Sequence, residues 1–167
     1  MAAVTLYWIS VTLHVLAAFV WLGGTLFLGL VGAPVLRQVE PPELRAELFR
    51  RLGERFRTVG WAAVAVLLAT GVANLHFRGL LARDVLFDPA FWGTAYGRTL
   101  KWKLVAVGAI LVVSAYHDLV VGPGASRLGS GTSEARHARR QAAWLGRLAA
   151  VIGVVIVVLA VRLARGG

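Results

Sequence analysis

His14 stands within the first 36 residues of the chain, a stretch that contains no Lys, Arg, Asp or Glu. An ionisable side chain in so apolar a setting is costly, and it ordinarily faces a bundle interior, a partner or a cofactor. Two readings are open for it: a neutral imidazole hydrogen-bonded to a neighbouring helix, or a ligand for a metal-bearing group. Trp21, Gly24 and Thr25 continue its helical face. His76 ends a second uncharged run, residues 58–77, and shares a face with Ala65, Leu68, Ala69, Val72 and Ala73. Small side chains there would let a helix or a flat ring approach closely; an interfacial anchor is the alternative. Thr70 and Asn74 occupy a different face, placed to bond across helices. His117 follows Lys103 by about four helical turns, so the two share a face, whereas Lys101 points elsewhere. Asp118 beside His117 makes an interfacial ion pair the simpler reading there and a ligand role the other. His137 falls in a basic connecting segment, as a solvated residue.

The elements that must position these groups are membrane spans. The chain is 58% hydrophobic with mean hydropathy +0.72, against roughly 45–50% apolar residues in soluble domains. A span needs about 20 mostly apolar residues. Two further uncharged runs, residues 104–117 and 148–161, reach that length if Trp102, Lys103, Trp144 and Arg147 lie inside with their polar ends snorkelling. The expectation is an all-α, antiparallel four-helix transmembrane bundle, one domain over residues 1–167, with spans about 4–31, 58–77, 100–121 and 142–162. Residues 1–36 lack a basic n-region and are too long for a typical signal h-region of about 7–15 residues, so they should remain as the first span.

Residues 41–57, PPELRAELFRRLGERFR, start at a proline pair and repeat Leu44, Leu48, Leu52 and Phe56 every four residues. They form an amphipathic helix that lies on the membrane or continues into span two. Phe87, Phe91, Trp92 and Tyr96 suit an interfacial loop. Span three should stop at the Gly-Pro-Gly of residues 122–124. Loop charge sets the orientation. Arg37, Arg45, Arg50, Arg51, Arg55 and Arg57 with Arg127, Arg136, Arg139, Arg140 and Arg147 give 11 basic residues on one side. Arg78, Arg83, Arg98, Lys101, Lys103, Arg162 and Arg165 give 7 on the other. Both termini are therefore expected outside, in the plasma membrane.

The net charge of +10 fits arginines facing lipid phosphates rather than a nucleic-acid partner. There is no cysteine and Met1 is the single methionine, so no thiolate site can form. The serines, aspartates and histidines make no nucleophile–base set, there is no phosphate loop, and no catalytic residue is assigned.

Three segments carry a family resemblance: LHVLAAFVWLGG (residues 13–24), RFRTVGWAAVAVLLATG (55–71) and TAYGRTLKWKL (94–104). They resemble the membrane domain of the CopD-type copper-resistance family. The same frame is similar, more distantly, to the HemJ-type protoporphyrinogen oxidases, matching an intramembrane His at His14 and a Lys opening span three at Lys103. That second resemblance implies a b-type haem. The Asn-Glu-x-Pro element of its fourth helix is absent here, as is the acidic residue frequent in the fourth helix of CopD-type proteins.

Copper(I) favours thiolate and thioether ligands, and Met1 offers the only sulfur. Arg78, Arg98, Lys101 and Lys103 would repel a cation, yet they suit the carboxylates of a haem held between helices by histidine. The expected function is thus a CopD-like membrane protein binding b-type haem in redox or haem handling. His14 and His76 would be axial ligands, with Lys103, Arg78 and Arg98 beside the propionates. Copper uptake or tolerance through His14, His76 and His117 is the alternative. A scaffold or assembly factor is the third class. Expected partners are the lipid bilayer, a second copy, or other membrane redox or copper proteins.

Overall fold

A computed structural model describes residues 1–121 and 133–167, apart from the side chains of residues 135 and 139. The Gly-Pro-Gly stop and Arg127 lie outside the described residues. Helices α1 (Ala2–Leu36), α2 (Pro42–Phe77), α5 (Ala95–Val121) and α6 (Ser133–Ala164) are long and apolar enough to cross a membrane, the apolar part of α6 being Arg136–Ala164. Two short helices, α3 (Arg83–Leu86) and α4 (Pro89–Gly93), fill the connection between α2 and α5. No strand occurs among the described residues. The protein is an all-α, multi-pass membrane bundle.

The bundle is antiparallel throughout. α1 packs chiefly on α2, and α5 on α6. The buried positions combine Ala17, Ala63 and Ala149 with Val64, Leu100, Ile110, Val121, Leu145 and Leu163 and with three hydroxyl residues, Ser10, Thr70 and Thr99, while Trp8, Phe19, Leu30, Val112 and Leu119 are exposed. In lipid no hydrophobic force drives helices together, so small residues that permit close packing and polar groups that bond across the interface join the aliphatic side chains inside.

Glycine spacing fixes how α1 meets its neighbours. α1 contains two π-type turns, Phe19–Gly23 and Leu28–Gly32. A side chain on Gly24 would collide with the Phe56 ring, and Leu52 reaches Gly32. The last two residues of the apolar repeat, Leu52 and Phe56, therefore face α1, and the amphipathic segment runs without a break into the second span. Its outer face carries an ion-pair ladder in which Arg50 joins Glu47 at 2.7 Å and Glu54 at 2.9 Å, and Arg51 joins Glu47 at 2.6 Å. Trp21 lies between Gly60 of α2 and Gly153 of α6, where a Cβ on Gly153 would come within 3.1 Å of the indole.

The far end of the bundle is tied by caps. Asp88 accepts from the Ala90 amide at 2.8 Å, and Thr94 accepts from the Gly97 amide at 2.9 Å. Trp92 Nε1 donates to the Leu86 carbonyl at 2.9 Å. Gly97 is buried where α4 turns into α5; a Cβ there would press into the Phe91 carbonyl and stand 2.9 Å from Trp92 Cα. Backbone cannot yield as a side chain can. Gly97→Ala should therefore destabilise the purified protein by about 1–3 kcal/mol, read as a lowered thermal midpoint in detergent; an unchanged midpoint would show that the turn relaxes freely.

Candidate functional site at the seam of α1 and α2

α1 and α2 meet along Ser10, His14 and Ala17 on one side and Gly60, Ala63, Val64 and Thr70 on the other. His14 Nδ1 lies 2.8 Å from Thr70 Oγ1. The Thr70 hydroxyl has a single proton, directed at the Val66 carbonyl 2.6 Å away with the Leu67 carbonyl at 3.4 Å. Its oxygen is then the acceptor for His14, so Nδ1 carries the proton and Nε2 keeps a free lone pair. Ser10 Oγ donates to the Thr70 carbonyl at 3.4 Å, next to the same contact. Gly71 borders the imidazole, where a Cβ would make ordinary van der Waals contact with His14 Cε1 at 3.5 Å. An oriented imidazole with one open nitrogen is the arrangement found where histidine ligates a metal centre.

α5 supplies the third wall. Lys103 is half-buried and lies one turn beyond the buried Thr99, whereas Lys101 is exposed. Contacts at both ends set the α5 register against α2, Arg78 to Tyr96 at one end and Trp61 and Arg57 to Asp118 at the other. That register brings Lys103 level with residues 71–74, within electrostatic reach of His14. Asn74 lies one turn beyond Thr70 on the same face, and its buried Oδ1 has no hydrogen-bond partner among the described residues. At the rim, Arg78 Nε donates to Tyr7 Oη at 3.1 Å and its Nη1 to Tyr96 Oη at 3.0 Å. These two hydroxyls hold the guanidinium above its ordinary pKa, so Arg78 is a permanent cation linking three helices.

The other sequence-selected residues fall elsewhere. His76 is exposed, stacked edge-on with its neighbour Phe77 at 6.0 Å between ring centroids. Six residues beyond Thr70 on a helix that turns about 100° per residue, it points roughly 120° away from the interior seam. Ala65, Leu68, Ala69 and Val72 on its face are likewise exposed, so the small-residue surface faces lipid rather than α1. Arg98 is exposed and donates to the Gly93 carbonyl of α4. His117 opens a π-type turn, His117–Val121, and its Nδ1 meets Asp118 Oδ1 at 2.7 Å. Asp118 Oδ2 accepts from Trp61 Nε1 at 2.9 Å, and its carbonyl accepts from Arg57 at 3.5 Å. This is a helix-locking hydrogen-bonded cluster at the opposite end of the bundle. Lys103 lies within electrostatic reach of both His14 and Arg78, with Arg78 about two turns above Thr70 at the rim; His76, Arg98 and His117 lie away from this seam. The face of Thr70 and Asn74, expected to bond across helices, does so through Thr70; Ser10 carries no distinctive sequence signal, and its spacing from His14 acquires meaning only when α1 and α2 are docked.

The family described as Copper resistance protein D matches residues 50–163. An uncharacterized protein of Aquifex aeolicus is 32% identical over 155 residues, covering 92% of each chain. The chain belongs to the copper resistance protein D family. No solved structure matches it. The CopD match runs from the amphipathic part of α2 through α6, so it includes Thr70, Asn74, Arg78 and Lys103 but begins after α1. His14 is thus contributed to the CopD frame by a helix outside the matched segment.

Proposed function

We propose that this CopD-family membrane protein binds a carboxylate-bearing, iron-centred ligand, b-type haem, in the outer half of its bundle, and serves redox or haem handling there. The observation that carries the reading is the His14–Thr70 contact, which leaves Nε2 as an open donor. One axial histidine suffices to hold a haem iron. Lys103 and Arg78 are suited to receive its carboxylates as charge-assisted hydrogen bonds, and the unpartnered Asn74 oxygen is a further polar contact at the same level. When bound, haem supplies one-electron chemistry; the chain's own part is to orient the imidazole, neutralise the carboxylates and exclude water. An absorption spectrum of the detergent-purified protein tests this. A Soret band is expected; its absence, with no haem extractable, overturns the reading.

The family favours a second reading, copper tolerance with copper itself as the ligand. Among the described residues no group of three or more His, Cys, Asp or Glu side chains stands together to hold a metal ion. Lys103 also places positive charge within reach of His14. A copper ion here would have His14 as its one such donor from the described residues, so this reading needs further donors from a second copy or a partner membrane protein. About one copper per chain without haem in the purified protein would establish this alternative.

The proposed setting is the plasma membrane with both termini outside, supported by the 11 to 7 loop bias of basic residues. A cytoplasm-only reporter should be active near Gly53 and silent at Gly167. The reverse pattern would invert the topology.

A further inference from the structure

At the end of the bundle opposite Arg78, the C-terminal end of α1 and the first turns of α6 enclose an open pocket of about 340 Å³ lined by Arg37, Arg140, Ala143, Trp144 and Arg147. Arg140, Ala143, Trp144 and Arg147 fall on one stripe of α6 by their three- and four-residue spacing. Arg147 is about 10 Å deeper than Arg140 along that helix. All three arginines are exposed, and no carboxylate pairs with any of them among the described residues. The sequence of residues 122–132, GPGASRLGSGT, holds no acid either. The contrast with α2 is direct: there Arg50 and Arg51 are neutralised by Glu47 and Glu54, and the comparable pocket beside Arg51 and Arg55 contains Glu54.

Position decides which anion meets these arginines. The pocket lies where two spanning helices leave the hydrocarbon, which is the depth of lipid headgroups. Trp144, 59% exposed, presents an indole there, the side chain enriched at the membrane–water boundary. Basic pockets between transmembrane helices at that depth bind lipid phosphates. Guanidinium pairs with phosphate oxygens through two parallel N–H donors, while the indole lies along the glycerol and upper acyl chain.

We propose that Arg37, Arg140, Arg147 and Trp144 form a binding site for the headgroup phosphate of an anionic phospholipid. The site clamps α1 to α6, which share no side-chain hydrogen bond among the described residues. It is independent of whatever occupies the His14 region, and its test does not involve that ligand.

The full chain, purified with a mixture of phosphatidylglycerol and phosphatidylcholine, is examined by native mass spectrometry at fixed ionic strength, and its thermal midpoint is measured in each lipid. The wild type should retain phosphatidylglycerol selectively and be stabilised by it. Each of R37Q, R140Q and R147Q should weaken retention about fivefold, and the triple variant on the order of a hundredfold. Helicity and midpoint in phosphatidylcholine alone should stay unchanged, which separates lost binding from lost folding. R45Q/R51Q/R55Q removes equal charge outside the pocket and should leave selectivity intact. Equal losses in the two triple variants would reduce the effect to general surface charge and overturn the site. Equal retention of both lipids, or equal stabilisation by inorganic phosphate alone, would overturn it as well.

Discussion

Purified His14→Ala protein is expected to lose its bound haem by more than about tenfold, with the residual absorption showing a changed ligand field. The lower bound follows from second-shell substitutions, which typically cost 10–100-fold in metal-site affinity; removal of the ligand itself should cost at least that. The fold should survive the change. Thr70 Oγ1 still donates to the Val66 carbonyl at 2.6 Å, so no buried hydroxyl proton is orphaned when the imidazole is gone. His76→Ala and His117→Ala are the informative comparisons. His76 is exposed and points away from the seam, and His117 is engaged with Asp118 at the other end. Both variants should keep haem content near that of the wild type. Full haem with an unchanged spectrum in His14→Ala would remove the assignment, and loss in His76→Ala alone would move the ligand to the lipid-facing side of α2.

Thr70→Val is expected to weaken the same site about 10–100-fold without removing any ligand. Valine preserves the volume and β-branching of threonine, but it removes the oxygen that accepts from His14 Nδ1. The imidazole then has no partner to set its tautomer, and a buried N–H left unsatisfied costs about 1–3 kcal/mol. The ring relieves this by rotating or by moving its proton to Nε2, and either change takes away the open donor. Thr70→Ser keeps the hydroxyl and should restore most of the binding. Haem content and the reduced spectrum separate the outcomes. If valine and serine behave alike, Thr70 acts through packing and not through the His14 tautomer. If the purified wild type carries copper in place of haem, the same pair of variants tests whether His14 is its ligand.

The amino-acid sequence by itself determined the membrane class, the helical architecture and the exceptional character of His14. Each rests on one-dimensional quantities: the length of an uncharged run against the thickness of a bilayer, and the cost of an ionisable group inside it. Helical periodicity also separated Lys103 from Lys101, because two residues along a helix is more than half a turn. What periodicity does not contain is the rotation of one helix against another. His76 and Thr70 both belong to α2, and the sequence reading placed Thr70 and Asn74 to bond across helices while ranking room for a ligand by residue size. It favoured the alanine face beside His76 as room for a ring. The docked bundle turns that face to lipid, because the glycines of α1 receive Phe56 and Leu52, and Gly60 faces the Trp21 ring that α1 carries in turn. Once that seam is set, Thr70 and Asn74 turn inward and His14 meets Thr70. The amphipathic segment was likewise ambiguous between lying on the membrane and extending the span, since a four-residue apolar stripe suits either lipid or a helix. The glycine gaps of α1 decide for the helix. Which residues could be costly to bury was a property of the chain, and which of them share a site was a property of how glycines let the helices interlock.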